Sequence, residues 1–140
     1  MSALQWIKED YCVYIPAIDS EHKLLIAIVN DFESALNMDC SLHAQIIPGK
    51  LAILSEIIKK HFESEEQFLL VNNYPWLEEQ KSQHAQLLEQ IAKFESRFKA
   101  EKSAFNDKML LFLKDWLIRH LILYDRKFGN YFNGKELVSP

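Results

Sequence analysis

Apolar residues recur at alternating steps of three and four along four separate stretches, which is the period of a helix with one buried face. The first runs from about Ile18 to Leu36 and buries Ile18, Leu25, Val29, Phe32 and Leu36, with His22 in its single gap; Asp19 or Ser20 is placed to cap its start. The second extends from Pro48, a residue suited to a first helical position, to about Asn72, with the inward series Leu54, Ile58, His61, Glu65, Phe68, Asn72. Asn72-Asn73-Tyr74-Pro75 breaks the chain. The third helix, from Pro75 to about Ala100, carries Leu77, Gln80, His84, Leu87 or Leu88, Ile91, Phe94 and Phe98 inward. The fourth, from about Ala104 to Tyr131, does the same with Phe105, Met109, Phe112, Leu113, Trp116, Leu117, His120, Leu121 and Tyr124.

The remaining segments show no such period. Residues up to about Pro16 read as an extended arm packed on the domain, Asn37 to Ile47 as a loop containing His43, and the polar tail from Asn133 as a frayed end. Four long amphipathic helices joined by short connections predict an all-α fold, an up-down-up-down four-helix bundle over about residues 18–131 within a single domain spanning 1–140.

The inward stripes contain residues that do not belong in an apolar core. His61 and Glu65 lie one turn apart on one helix, Gln80 and His84 one turn apart on another, and His22 and His120 sit on the seams of the other two. Burying such groups unpaired costs roughly 2–7 kcal/mol for a neutral polar group and more for a charge. Either a metal or a hydrogen-bonded core network must satisfy them. Asp125 follows His120 by five residues, so it shares that seam only through a local π-bulge or a long reach. Imidazole and carboxylate without thiolate suit iron, manganese or zinc. The set is too large for one tetrahedral zinc and sufficient for two metals if the carboxylates bridge. The ExxH pair of ferritin-like sites is absent, because Asp19, Ile58, Lys81 and Leu117 stand three residues before the four histidines. His43 receives no role.

Composition narrows the alternatives. Only 3 glycines and 4 prolines among 140 residues, 49% of them hydrophobic, fit long regular helices around a substantial core. A net charge of −4, with 16 basic and 20 acidic residues dispersed along the chain, argues against nucleic acid or an anionic membrane as partner. Cys12 and Cys40 have neither CxxC spacing nor a disulfide framework and read as bystanders in a reducing compartment. No apolar run approaches the ~18–20 residues of a membrane span, and the N-terminus lacks a signal-peptide pattern; the expectation is a soluble, cytoplasmic protein.

Four landmarks in order resemble the hemerythrin family, specifically its short bacterial single-domain members, and the resemblance covers Trp6 to about Phe132. They are Ile15-Pro16-Ala17-Ile18-Asp19-Ser20-Glu21-His22, His61-Phe62-Glu63-Ser64-Glu65-Glu66, Tyr74-Pro75 with His84 nine residues beyond the proline, and Trp116-Leu117-Ile118-Arg119-His120-Leu121 with Asp125. The resemblance implies a pair of non-heme iron ions with a bridging oxo or hydroxo group. It assigns His22 and His61 to one iron, His84 and His120 to the other, and Glu65 and Asp125 to both. It also places Phe62, Trp116, Leu117 and Leu121 in the wall of an oxygen pocket. The implied function is O2 binding, as carrier, store or sensor, rather than catalysis.

The chain departs from the family pattern at one ligand position. A histidine is expected four residues before His84, and Gln80 stands there. An amide oxygen reaches as far as an imidazole but donates more weakly, so the iron on that side is expected to be held less tightly, with Gln80 ligating it or binding a water on it. Such an exchangeable position also opens a second reading, a peroxidase-like or oxidase-like enzyme; a metal-poor interaction domain is a third. Tyr14 is a milder departure, standing where the family usually has glycine.

Overall fold

Ile15, in an extended conformation, hands the chain to Pro16, whose fixed φ and missing amide hydrogen suit the first turn of a helix. The helix thus begins slightly earlier than its apolar stripe does, and Asp19 is not its cap. Asp19 lies inside the helix and turns back to the arm, accepting hydrogen bonds from the Val13 amide at 2.9 Å and the Cys12 thiol at 3.3 Å. The computed structural model describes residues 3–37, 43–100 and 107–138.

The arm is extended except for one turn, α1 (Lys8–Tyr11), and leads into α2 (Pro16–Leu36), α3 (His43–Val71) and α4 (Leu77–Ala100). A last helical run comprises α5 (Asp107–His120), a π-helical turn (Leu121–Asp125) and α6 (Arg126–Phe132). His120 and Arg126 keep right-handed helical dihedrals on either side of the π turn, so the run continues through it. Helix α2 packs against α3 and α5, and α4 against α3 and α5, which closes the four-helix bundle.

Three further expectations are corrected. Helix α3 starts at His43, so His43 is helical and Pro48 lies one turn inside rather than at the first position. There it costs one backbone bond near a helix start, where few have yet formed. Phe112 is not inward: it is 39% exposed and lies edge-on to Phe94, while Leu110 takes the buried place. The tail is pinned as far as residue 138, because the Asn72 side chain accepts from the Val138 amide at 2.8 Å and donates to the Val138 carbonyl at 3.1 Å. Cys40 and Phe105 lie outside the described residues.

Two apolar clusters form the core. The larger contains Leu25, Val29, Leu54, Ile58, Phe62, Leu87, Leu113, Leu117 and Leu121. The smaller gathers Val13, Ile15, Ile18, Phe68, Tyr74, Phe128 and Phe132 around the arm and the opposite end of the bundle. The chain order on every long helix places the polar inward residues between the two. Packing of the arm requires Gly129, where an added Cβ would lie 2.9 Å from the Val13 Cα. Gly129→Ala should destabilise the protein by about 1–3 kcal/mol, the usual cost of overpacking, read as a lowered denaturant midpoint.

Tyr14 occupies a backbone position that favours glycine. Its φ is 61°, in the left-handed region, and its side chain is 68% exposed. A tyrosine there carries about 1–2 kcal/mol of backbone strain without packing to offset it. Tyr14→Gly should therefore raise thermal stability, by less than about 1 kcal/mol once glycine's greater unfolded-state entropy is subtracted.

Candidate metal centre

The polar layer between the two clusters consists of His22 from α2, His61 and Glu65 from α3, Gln80 and His84 from α4, and His120 and Asp125 from the last helical run. All seven are buried. The π turn brings Asp125 into the set. In a regular helix five residues overshoot one turn, and widening the turn returns Asp125 to the seam of His120, with its Oδ1 3.0 Å from His120 Nε2.

The two carboxylates divide their oxygens between two pairs of histidines. Glu65 Oε2 lies 3.1 Å from Nε2 of both His22 and His61, and Glu65 Oε1 lies 3.1 Å from Nε2 of His84. Asp125 Oδ2 lies 3.2 Å from His22 Nε2, while its Oδ1 faces His120. Two overlapping groups therefore form, His22–His61–Glu65 and Glu65–His84–His120–Asp125, and each has ligand atoms close enough to hold one metal ion.

The spacing is that of donors around a cation. Atoms about 2.1 Å from a common metal and at right angles to each other are about 3 Å apart. Buried atoms in the cluster also lack hydrogen-bond partners among the described residues: His84 Nε2 and Asp125 Oδ2 at its centre, His22 Nδ1 and His120 Nδ1 behind it. Unsatisfied buried polar atoms are rare, and a coordinated ion would account for the central two. The residues present fit a pair of divalent metals.

Gln80 lies within the second group. Its Nε2 is 3.0 Å from Glu65 Oε1, 2.5 Å from Asp125 Oδ1 and 3.3 Å from His120 Nε2. In this orientation the amide hydrogens serve the carboxylate oxygens. A half-turn of the amide would bring its oxygen to the same place, which would repel two bare carboxylates and suit a cation.

Electrostatics tie the layer together. Burial opposes protonation of His61, but the Glu65 charge and hydrogen bonds to Glu21 and Glu65 outweigh it and push the imidazole up to about 10. Burial likewise opposes ionisation of Glu65, yet the His61 charge and close contacts with His22, His61 and His84 hold its carboxyl well below the usual range. Burial also works against a charged His84, and its contacts with Glu65 and Glu66 raise it nonetheless.

The profile of the hemerythrin HHE cation binding domain matches residues 13–130. The chain belongs to the hemerythrin family. It is 23% identical over 129 residues to a bacteriohemerythrin of Methylococcus capsulatus, covering 92% of this chain and 96% of that one. It is 31% identical over 83 residues to one of the hemerythrin subunits of Sipunculus nudus, covering 59% of this chain and 64% of that one. A crystal structure of wild-type hemerythrin superposes with a TM-score of 0.84 over 92% of this chain and 97% of that one, at 22% identity, which establishes the shared fold.

Two groups behind this hemerythrin layer were not singled out from the sequence. Glu21 accepts from His61 Nδ1 at 3.0 Å and from the Ser64 hydroxyl at 2.9 Å, and Glu66 accepts from His84 Nδ1 at 2.7 Å. Such carboxylates fix the ring so that Nε2 faces the site and raise its basicity. Both glutamates adjoin ligand-type residues in the chain, but each serves a histidine on another helix, and that pairing is invisible to one-dimensional periodicity.

Beside the layer is an apolar cavity of about 20 Å3, lined by Phe62, Trp116, Leu117 and Leu121 together with His61, His120 and Asp125. It holds about one water-sized or diatomic molecule. Phe62 stacks on His84 with ring centroids 3.7 Å apart, and Trp116 stacks on His120 at 4.5 Å, so the cavity wall is packed directly on the histidines. Among the described residues no helix is long and apolar enough to cross a membrane.

Proposed function

We propose that this chain binds O2 at a pair of non-heme irons, one held by His22 and His61 and the other by His84 and His120, with Glu65 and Asp125 contributing one oxygen to each. The observation that carries this reading is the division of both buried carboxylates between the two histidine pairs. These residues would hold the irons so that, when reduced, they would supply the electrons for reversible O2 binding. The relatives named for hemerythrin support iron and O2 over other metals and ligands.

The protein's part is positioning and exclusion. Glu21 and Glu66 hold His61 and His84 in their donor orientation, and the arm and the smaller cluster close the layer from one end. Phe62, Trp116, Leu117 and Leu121 leave room for a diatomic ligand while offering no hydrogen-bonding side chain of their own apart from the Trp116 indole. An apolar wall whose titratable neighbours, His61, His120 and Asp125, are all taken up as ligands favours holding O2 over consuming it. Gln80 is the observation that favours a second reading. It makes one metal's protein ligand set weaker or smaller, and a weaker set leaves that metal more open to peroxide and oxidative turnover.

Iron per chain, measured with the visible spectrum of reduced protein before and after exposure to air, tests both. Two irons and a charge-transfer band that disappears when O2 is removed are expected. Bleaching to an oxidised form that never rebinds O2, accompanied by catalytic consumption of peroxide, would replace the first reading by the second. Protein grown with ample iron that carries none would overturn both.

A further inference from the structure

The outward face of the last helical run carries four large apolar side chains. Leu111 is 56% exposed, Phe112 39%, Ile122 41% and Leu123 61%, and between the two pairs lie Asp115 and Arg119. These six residues recur at steps of three and four and share one face of the run, Ile122 and Leu123 standing on the π turn. Their order is palindromic about position 117: Asp115 and Arg119 are equidistant from it, as are Phe112 and Ile122, and Leu111 and Leu123.

In an antiparallel helix pair, residues at equal distances on opposite sides of the centre face each other. The palindrome is therefore self-complementary under a two-fold axis, the commonest symmetry of protein dimers. We propose that this face binds a second copy of the same chain, Leu111 and Phe112 of each copy packing on Leu123 and Ile122 of the other around two crossed Asp115–Arg119 ion pairs.

Shape and charge both support this occupant. A shallow groove lined by Lys108, Leu111, Phe112 and Asp115 opens where the facing Leu123 would insert. Phe94 holds the Phe112 ring edge-on, at 5.8 Å between centroids, so one wall of the groove is ordered before binding. Asp115 and Arg119 already pair within the helix at 3.1 Å, and an antiparallel neighbour offers each of them the opposite charge a second time. A purely acidic or basic partner would match only one of the two, and a lipid surface would have to desolvate both. Beyond the palindrome, Lys108 and Arg126 would meet as like charges, which confines the contact to the segment from Leu111 to Leu123, about 18 Å of helix. One helix face of that length falls at the small end of specific interfaces, so the dimer is weak and concentration-dependent.

Sedimentation of the full chain across a concentration series tests the proposal. The wild type should dimerise as concentration rises, and Leu123→Glu should abolish this. Asp115→Arg alone and Arg119→Asp alone should each weaken self-association at least about tenfold, since every facing charge then meets its like. An equimolar mixture of these two variants should recover the dimer, because each charge again faces its opposite, and the double exchange Asp115→Arg with Arg119→Asp should recover it in one chain. All six side chains are exposed, so unchanged helical circular dichroism and melting are the control. A wild type still monomeric at about 1 mM overturns the proposal. So does a dimer indifferent to Leu123→Glu, or a mixture that associates no better than its components.

Discussion

Glu65→Gln should empty both metal positions, with purified protein carrying less than about a tenth of the wild-type iron per chain. Neutral glutamine has the same shape but one acceptor oxygen in place of two, and no charge to offset two divalent ions in a layer sealed from water. Glu65 faces Nε2 of His22, His61 and His84, so one substitution withdraws a donor from each side at once. Glu66→Gln, one residue further along the same helix, should behave differently. Glu66 is a quarter exposed and pairs with the far nitrogen of His84, so its loss should weaken one metal about 10–100-fold and leave the other in place. Metal analysis after dialysis, followed by competition with a chelator, separates the two results. Iron retained in Glu65→Gln at wild-type levels would mean that the metals do not share that carboxylate.

The contrast between Glu65 and Glu66 also marks how far the sequence could be read. Three glutamates, Glu63, Glu65 and Glu66, stand within four positions, and only the helical period distinguishes the one that faces the core. The same period found His22, Gln80, His84 and His120, because a polar side chain on an otherwise apolar stripe is conspicuous. It found Asp125 only conditionally. The π turn inserts extra rotation that no local residue type announces, and its necessity followed from needing Asp125 and His120 on one seam. Phe112 was misplaced for the complementary reason: an aromatic near the edge of a stripe satisfies the period equally well inside or outside, and packing against Phe94 decides. Helix starts were the least legible. Pro16 and Pro48 both offer a first-turn residue, yet of the two only Pro16 opens a helix, and α3 is already under way at His43.

Gln80→His should tighten the metal on the His84 side about tenfold or more, a gain of at least about 1.4 kcal/mol, and slow autoxidation of the reduced, oxygenated protein. The amide already lies among Glu65 Oε1, Asp125 Oδ1 and His120 Nε2, so an imidazole there adds a stronger nitrogen donor without having to be aimed. The fully buried position fixes the ring once it is present, and with one fewer exchangeable site, water and small anions have less access to that metal. Gln80→Leu should move both readouts the other way. In the metal-free protein it should also cost about 1–3 kcal/mol of stability, because two buried carboxylate oxygens lose their donor. The measurements are chelator competition for each of the two metals in turn and the rate at which the oxygenated spectrum decays. Equal iron affinity and equal decay in wild type and Gln80→His would mean that the glutamine serves this centre as well as a histidine would. Tighter iron with slower decay would mean that Gln80 sets this centre towards exchange and oxidation.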